Sequence, residues 1–324
     1  MSLVAKGPRP LPASITLRSG YLPQSHNGML CGMTAPASKK PSPARRLRAI
    51  LLVDGSRQAL ADQAAHLREI IERHLDVAAS LDNFHDPFPD VAADLVVVFG
   101  GDGSILRSAR QMRFNQLPVL GVNLGRLGFL AEIQPEDLDE ILPQIVAGEY
   151  RVVKHLMFEC SVQRGGREES RTLGLNEAVV LAGPAFSMIE VQLYVDANLA
   201  TTYSCDGLIV STPVGSTAYN LAAGGPIMEK SLQTLVVSPI CPHTLTNRPV
   251  IDSADHVYEL AVPQPNEGTT LLVDGKPIGQ VLADDRIRIE RSSAEFQLIE
   301  VRGRGYYRTL REKLGWGGRL KLKE

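Results

Sequence analysis

Acidic residues are absent from the start of the chain. Between Met1 and Val53 there is no Asp or Glu, whereas Lys6, Arg9, Arg18, Lys39, Lys40, Arg45, Arg46 and Arg48 are basic, and Pro, Ser and Gly are frequent. Such a stretch cannot bury enough apolar surface to offset its ordering entropy, so residues 1–46 are expected to form a disordered basic arm. An organelle transit peptide has a similar composition, but the prolines break the amphipathic helix it needs. Cysteine is scarce as well. Cys31, Cys160, Cys205 and Cys241 form no CxxC pair, and the seven histidines do not gather around them. This argues against a disulfide scaffold or a structural zinc site and suits a reducing, cytoplasmic setting. No apolar run reaches the roughly 20 residues that a membrane helix needs. Net charge is -2 and the pI is near 6.4, without the basic excess of a general nucleic-acid binder. Neither GxxxxGK followed by Ser or Thr nor GxGxxG occurs, which speaks against P-loop and simple Rossmann sites.

Apolar residues make up 44% of the 324 positions, enough for a sizeable core and for more than one compact unit. Arg48–Val53, Leu95–Phe99 and Pro118–Val122 read as buried strands, and Ala59–Leu75, Ile105–Phe114 and Pro135–Ala147 as helices. The alternation predicts a parallel α/β sheet over residues 47–148. From 149 to 324 short β-branched runs dominate, among them Leu175–Leu181, Gly207–Thr212, Arg286–Ile289 and Phe296–Val301. They predict an all-β second domain, with one helix starting near Ser216.

Three segments carry chemistry. In the first, a buried strand runs into Gly100-Gly101-Asp102-Gly103-Ser104 and then a helix. Glycines let backbone N–H groups approach an anion, and a helix N-terminus favours phosphate. Asp102 at that mouth can take a proton from an attacking hydroxyl or help hold Mg2+; a plain helix N-cap is the alternative. The second is Asp206 to Asn220, where a strand leads to Gly215-Ser216-Thr217-Ala218-Tyr219. Small residues and hydroxyls there suit a backbone closing over a flat ligand, with Tyr219 as an aromatic wall; an N-capping turn over a core tyrosine is the alternative. The third is Asn176-Glu177 beside an apolar strand, a donor and acceptor pair suited to ribose hydroxyls or to a solvated strand start.

In this order, with Gly121-Val122-Asn123-Leu124-Gly125-Arg126-Leu127-Gly128-Phe129-Leu130, Pro239-Ile240-Cys241-Pro242-His243-Thr244-Leu245 and Leu314-Gly315-Trp316, the segments resemble bacterial NAD kinases from about Arg48 onward. The Gly-Gly-Asp-Gly element is shared with phosphofructokinases and lipid kinases. The Asn-Glu and Gly-Ser-Thr-Ala-Tyr elements are more specific. The resemblance implies an α/β N-terminal domain plus an all-β C-terminal domain, the site between them, a homodimer or homotetramer, and ATP used with a divalent metal (Mg2+) but no tightly bound protein metal site. It implies Asp102 as the base acting on the 2′-hydroxyl of the adenosine ribose of NAD, and Gly100, Gly101, Gly103 and Ser104 as the phosphate loop. Asn176 and Glu177 would bind the dinucleotide, and Thr217, Ala218, Tyr219, Asn220, Leu221 and Ala222 would wrap its adenosine half. Arg107 would face phosphate, and Asp206 would reach dinucleotide across a subunit interface.

Three places depart from the pattern, one of them Lys154-His155-Leu156, which is less rich in Arg and Glu than the resemblance implies. Ala222 stands where several relatives have Ser, and Ser204 where some have Arg; losing a cation there is expected to relax discrimination between NAD and NADH. Polyphosphate is an alternative donor. The rivals are a lipid or sugar-phosphate kinase, for which no acyl slot is visible, and a non-catalytic NADP sensor.

Overall fold

The computed structural model describes residues 45–55, 58–125, 128–184, 188–244, 246–301 and 306–315. The basic arm up to Ala44, together with Arg126, Leu127, Leu245 and Trp316, lies outside the described residues.

Apolar runs without polar interruption become strands covered on both faces. Arg48–Val53 (β1), Leu95–Phe99 (β3) and Val119–Val122 (β4) pair in parallel, with Asp76–Leu81 (β2) on the outer side of β1. Ala49, Leu51, Leu95, Val97 and Phe99 face one side, packed on helices Gln58–His74 (α1) and Leu138–Val146 (α3). Ile50, Leu52, Val96 and Val98 face the other, where helix Asp102–Met112 (α2) contributes Ile105, Ala109 and Met112. This is the α/β arrangement expected for the N-terminal part. α2 starts three residues earlier than its apolar pattern suggests, because Gly101 is the N-cap and Asp102 is already helical.

The C-terminal part is sheet-rich. Tyr150–Arg164 (β5) and Arg167–Gly174 (β6) form a hairpin. Glu177–Leu181 (β7), Gly207–Ser211 (β10), Thr234–Ile240 (β11), Val250–Ser253 (β12), Thr270–Val273 (β14) and Lys276–Gln280 (β15) make a six-stranded sheet in the order β12-β11-β10-β7-β14-β15. Ile189–Val195 (β8), Asn198–Cys205 (β9), Tyr258–Ala261 (β13) and Arg286–Val301 (β16) belong to the other sheet. One apolar cluster draws on both, with Ile189, Val191, Leu260 and Ile287 from one and Val180, Leu208, Val210 and Val273 from the other.

The two runs read as separate strands, Arg286–Ile289 and Phe296–Val301, are one strand. β16 pairs with β5 along its length, slipping register between Arg291 and Glu295. Its first half also pairs with β13, and Leu298 joins Val119 of β4 in parallel, so one ten-stranded sheet spans the α/β and sheet-rich parts. A short helix, Tyr219–Ala222 (α4), follows β10, and a last helix, Tyr306–Leu314 (α5), closes the described chain.

Candidate active site

β3 and β4 are parallel and end together, Phe99 opposite Val122. Loops leaving the carboxyl ends of such strands are where open α/β sheets bind ligands. After β3, Gly100 turns with φ +144°, a conformation that L side chains avoid, and Ser104 fills the space a Cβ would need. The Gly100 N–H is tied to the Val122 carbonyl at 2.9 Å. Gly101 and Gly103 face open space, leaving the backbone approachable at the start of α2, where helical N–H groups lack partners within the helix.

Asp102 does not cap its own helix. Its carboxylate reaches the loop after β4: Oδ2 accepts from the Phe129 N–H at 2.7 Å, and Oδ1 from Leu130 at 2.9 Å and Ala131 at 3.2 Å. Among the described residues Oδ2 has one donor, which leaves a lone pair for an incoming hydroxyl. Any side chain at Gly128 would run into this carboxylate. Arg107, one turn along α2, donates to Asp54 at the end of β1 at 2.9 Å and to Ser104 Oγ at 3.3 Å, and lies over the Phe84 ring. It is fixed at the carboxyl edge of the sheet.

The second and third segments are brought together. Thr212 N–H and Ser211 Oγ donate to the Asn176 carbonyl at 2.8 and 3.2 Å, and Thr212 Oγ1 donates to the Leu175 carbonyl at 2.6 Å. Gly215 packs so closely on the Asn176 carbonyl that a Cβ would collide with it. Ser216 Oγ donates to the Pro213 carbonyl at 2.6 Å and accepts the Met228 N–H at 3.0 Å. Thr217 Oγ1 donates to the Val214 carbonyl at 3.2 Å. Tyr219 and Ala222 are exposed, Ala218 and Leu221 half-buried. Asn220 differs: it is fully buried, giving Nδ2 to the Ser216 and Pro226 carbonyls and accepting Ser238 Oγ at 2.6 Å. Its amide is occupied within the protein and holds the turn from beneath.

Glu177 is buried and accepts the Tyr219 N–H; among the described residues its Oε2 has no partner. Burial, and secondly the Asp274 carboxylate, push it up to about 8. Asp274 lies in an Asp274-Gly275 turn that no sequence motif marks. It sits between β14 and β15 at φ 47° and accepts N–H groups from Leu175, Asn176 and Glu177, the shortest at 2.7 Å. Burial raises the Asp274 carboxyl as well, and those N–H donors together with Arg110 of α2 oppose that rise, so two carboxyls of raised proton affinity stand side by side.

Lys230 was also missed. It is 4% exposed, and its Nζ donates to the Phe129 carbonyl at 2.6 Å, inside the loop that clasps Asp102. No motif marks it; only its place two residues beyond Met228, the partner of Ser216, points to it.

Asp206 stands apart. It precedes β10, whereas the Thr212–Ala222 turn follows it, so about five residues of strand, ~17 Å, separate them. The Asp206 carboxylate is half-exposed, 3.7 Å from His243 Nε2. Ser204 lies on β9 beside it, its carbonyl accepting the His243 N–H at 2.9 Å.

The ATP-NAD kinase N-terminal domain profile matches residues 49–150, and the C-terminal domain profile matches residues 175–301. The NAD kinase of Rhodopirellula baltica is 52% identical over 258 residues, 80% of this chain and 83% of that one. The NAD kinase of Geotalea daltonii is 41% identical over 258 residues, 79% of this chain and 90% of that one. Among solved structures, an NAD kinase from Archaeoglobus fulgidus in complex with ATP superposes with a TM-score of 0.68 at 28% identity, covering 84% of this chain and all of that one. Yeast NADH kinase complexed with NADH shares the fold, with a TM-score of 0.76 at 21% identity over 86% and 91% of the two chains.

Proposed function

The chain belongs to the ATP-NAD kinase family, and on that premise we propose that it moves the terminal phosphate of ATP onto the 2′-hydroxyl of the adenosine ribose of NAD, with Asp102 as general base. One observation carries the assignment of the base. The Asp102 carboxylate is fixed by three backbone N–H groups, with a lone pair of Oδ2 left over, at the mouth of a glycine loop. A ribose hydroxyl is a weak nucleophile, and a positioned carboxylate takes its proton as the P–O bond forms.

The remaining roles follow the layout. The N–H groups at Gly101 and Gly103 meet phosphate, with Ser104 and Arg107 shaping that wall. Asn176 and protonated Glu177 offer donors to the dinucleotide. Thr217, Ala218, Tyr219, Leu221 and Ala222 line its adenosine half, held up by Asn220. Residues 47–148 supply the phosphate loop and 149–324 the dinucleotide wall. Among the described residues no group of three or more His, Cys, Asp or Glu is placed to hold a metal. In this reading Mg2+ comes with ATP, kept by phosphates and water, as is common for this ion. ATP is the donor favoured by the family, with polyphosphate as the variation to test. Asp206 and His243, on the far side of β10, suit a subunit interface in a cytoplasmic homodimer or homotetramer. No described helix is long and apolar enough to cross a membrane.

The test is NADP formation from NAD, ATP and Mg2+ by the wild type and Asp102→Asn, with calorimetry of NAD on both. The expected result is loss of about 10²–10⁴ in rate with NAD binding retained. Full activity in the variant removes Asp102 from the mechanism. Binding without turnover in the wild type would make the protein a dinucleotide sensor.

A further inference from the structure

We propose that Lys230 is a positioning residue for Asp102, acting through the single peptide group that joins Phe129 to Leu130. The carbonyl of that peptide accepts from Lys230 Nζ at 2.6 Å. Its N–H, on Leu130, donates to Asp102 Oδ1 at 2.9 Å. A cation therefore sits at the oxygen end of one amide dipole and a carboxylate at its hydrogen end. Each bond polarises the amide in the sense that strengthens the other, and burial amplifies the effect.

The surroundings keep the ammonium there. Glu132 lies 3.8 Å from Nζ and in turn accepts from Thr309 Oγ1 of α5 at 3.1 Å. The Tyr306 ring, also of α5, stands 5.4 Å from Nζ, and the Tyr306 hydroxyl donates to the Met228 carbonyl at 2.8 Å. Burial lowers the proton affinity of Lys230, while Glu132, Glu300, Asp102 and Glu229 oppose that. A buried lysine is costly unless paired, and hydrophobic residues of similar size often replace such groups without loss of stability. The placement of this one, on the peptide that holds the proposed base, accounts for its charge in a way that packing does not.

The inference rests on the reading of Asp102 as base, so the experiment includes Asp102→Asn. Lys230→Arg keeps charge and donors, Lys230→Gln keeps a donor without charge, and Lys230→Met keeps only the stem. Measured are kcat, KM for ATP, NAD affinity by calorimetry, and Tm. The expected result is kcat falling in the order Arg, Gln, Met, with Met down by about tenfold or more, while NAD affinity and the ATP KM stay within roughly twofold. A flat kcat series overturns the proposal, as does a fall in kcat that tracks Tm or comes with a raised ATP KM. Should Lys230→Met fail to fold, the Arg and Gln pair decides on the same criterion. If Asp102→Asn stays active, it is the base assignment that fails, whatever the lysine series shows.

Discussion

Arg110 of α2 lies 3.7 Å from Asp274 in the β14–β15 turn and donates to the Val273 carbonyl at 3.1 Å. The helix that begins at the glycine loop is thereby tied to the carboxylate that gathers the N–H groups of Leu175, Asn176 and Glu177. Removing Asp274 orphans those donors and leaves a partly buried guanidinium unpaired. Asp274→Ala is expected to cost about 3 kcal/mol of stability and to weaken NAD binding. Urea unfolding and NAD calorimetry check both; a variant as stable as wild type would contradict it.

Gly128 gives a sharper probe of geometry. A methyl group there cannot coexist with the present Asp102 carboxylate. Gly128→Ala should therefore displace the base and lower kcat on the order of 10², with ATP affinity little changed. Steady-state kinetics at saturating ATP settle the point.

Glu177 predicts a pH dependence. Held up at about 8 against 4.5 when free, it keeps a proton in the folded protein that the unfolded chain releases. Its contribution to stability is complete below about pH 4.5 and is lost as pH rises toward 8. The full swing is on the order of 5 kcal/mol. Glu177→Gln, an isostere of the protonated acid, should retain NAD binding at pH 7 and be more stable than wild type at pH 9, with the two alike near pH 4. Denaturant titrations across that range test the sign.

His155 predicts the opposite slope. Burial first, and then the Lys230 cation, hold it down at about 4 instead of 6.5. The unfolded chain takes up a proton between those values that the folded protein refuses. Stability should fall by about 3 kcal/mol as pH drops from 6.5 to 4. His155→Leu should flatten that limb, as unfolding curves at pH 7 and 4.5 would reveal.

Ser204 bears on the choice of dinucleotide. With no cation at this position, turnover of NAD and NADH should lie within about tenfold of each other. A strict preference for NAD in parallel assays would count against this.

Most of the α/β half was legible because β1, β3 and β4 are uninterrupted apolar runs and its helices carry one apolar face; β2, with no fully buried residue, was not. β6 and β9 were not, since both are largely exposed and polar, and a strand without a buried face has no period to read. β16 looked like two strands because Arg291 to Glu295 breaks the alternation where the pairing slips. In the site, Asp102, Asn176 and Glu177 stood out through their glycine or strand context. Asp274 and Lys230 did not, because their importance lies in which distant backbone groups they meet. The burial of Asn220, with its amide engaged by Ser216, Pro226 and Ser238, was not legible either, because those partners meet it only in the folded turn.

The placement of β16 has a consequence for biosynthesis. It fills the gap between β4 and β13, so the open edge of β4 waits for residues near Leu298 before it is covered. A ribosome releasing this chain exposes four parallel strands long before their neighbour exists. An unpaired edge is a template for wrong partners, and contacts so distant in sequence form slowly. Premature termination anywhere before β16 would thus leave the β4 edge uncovered.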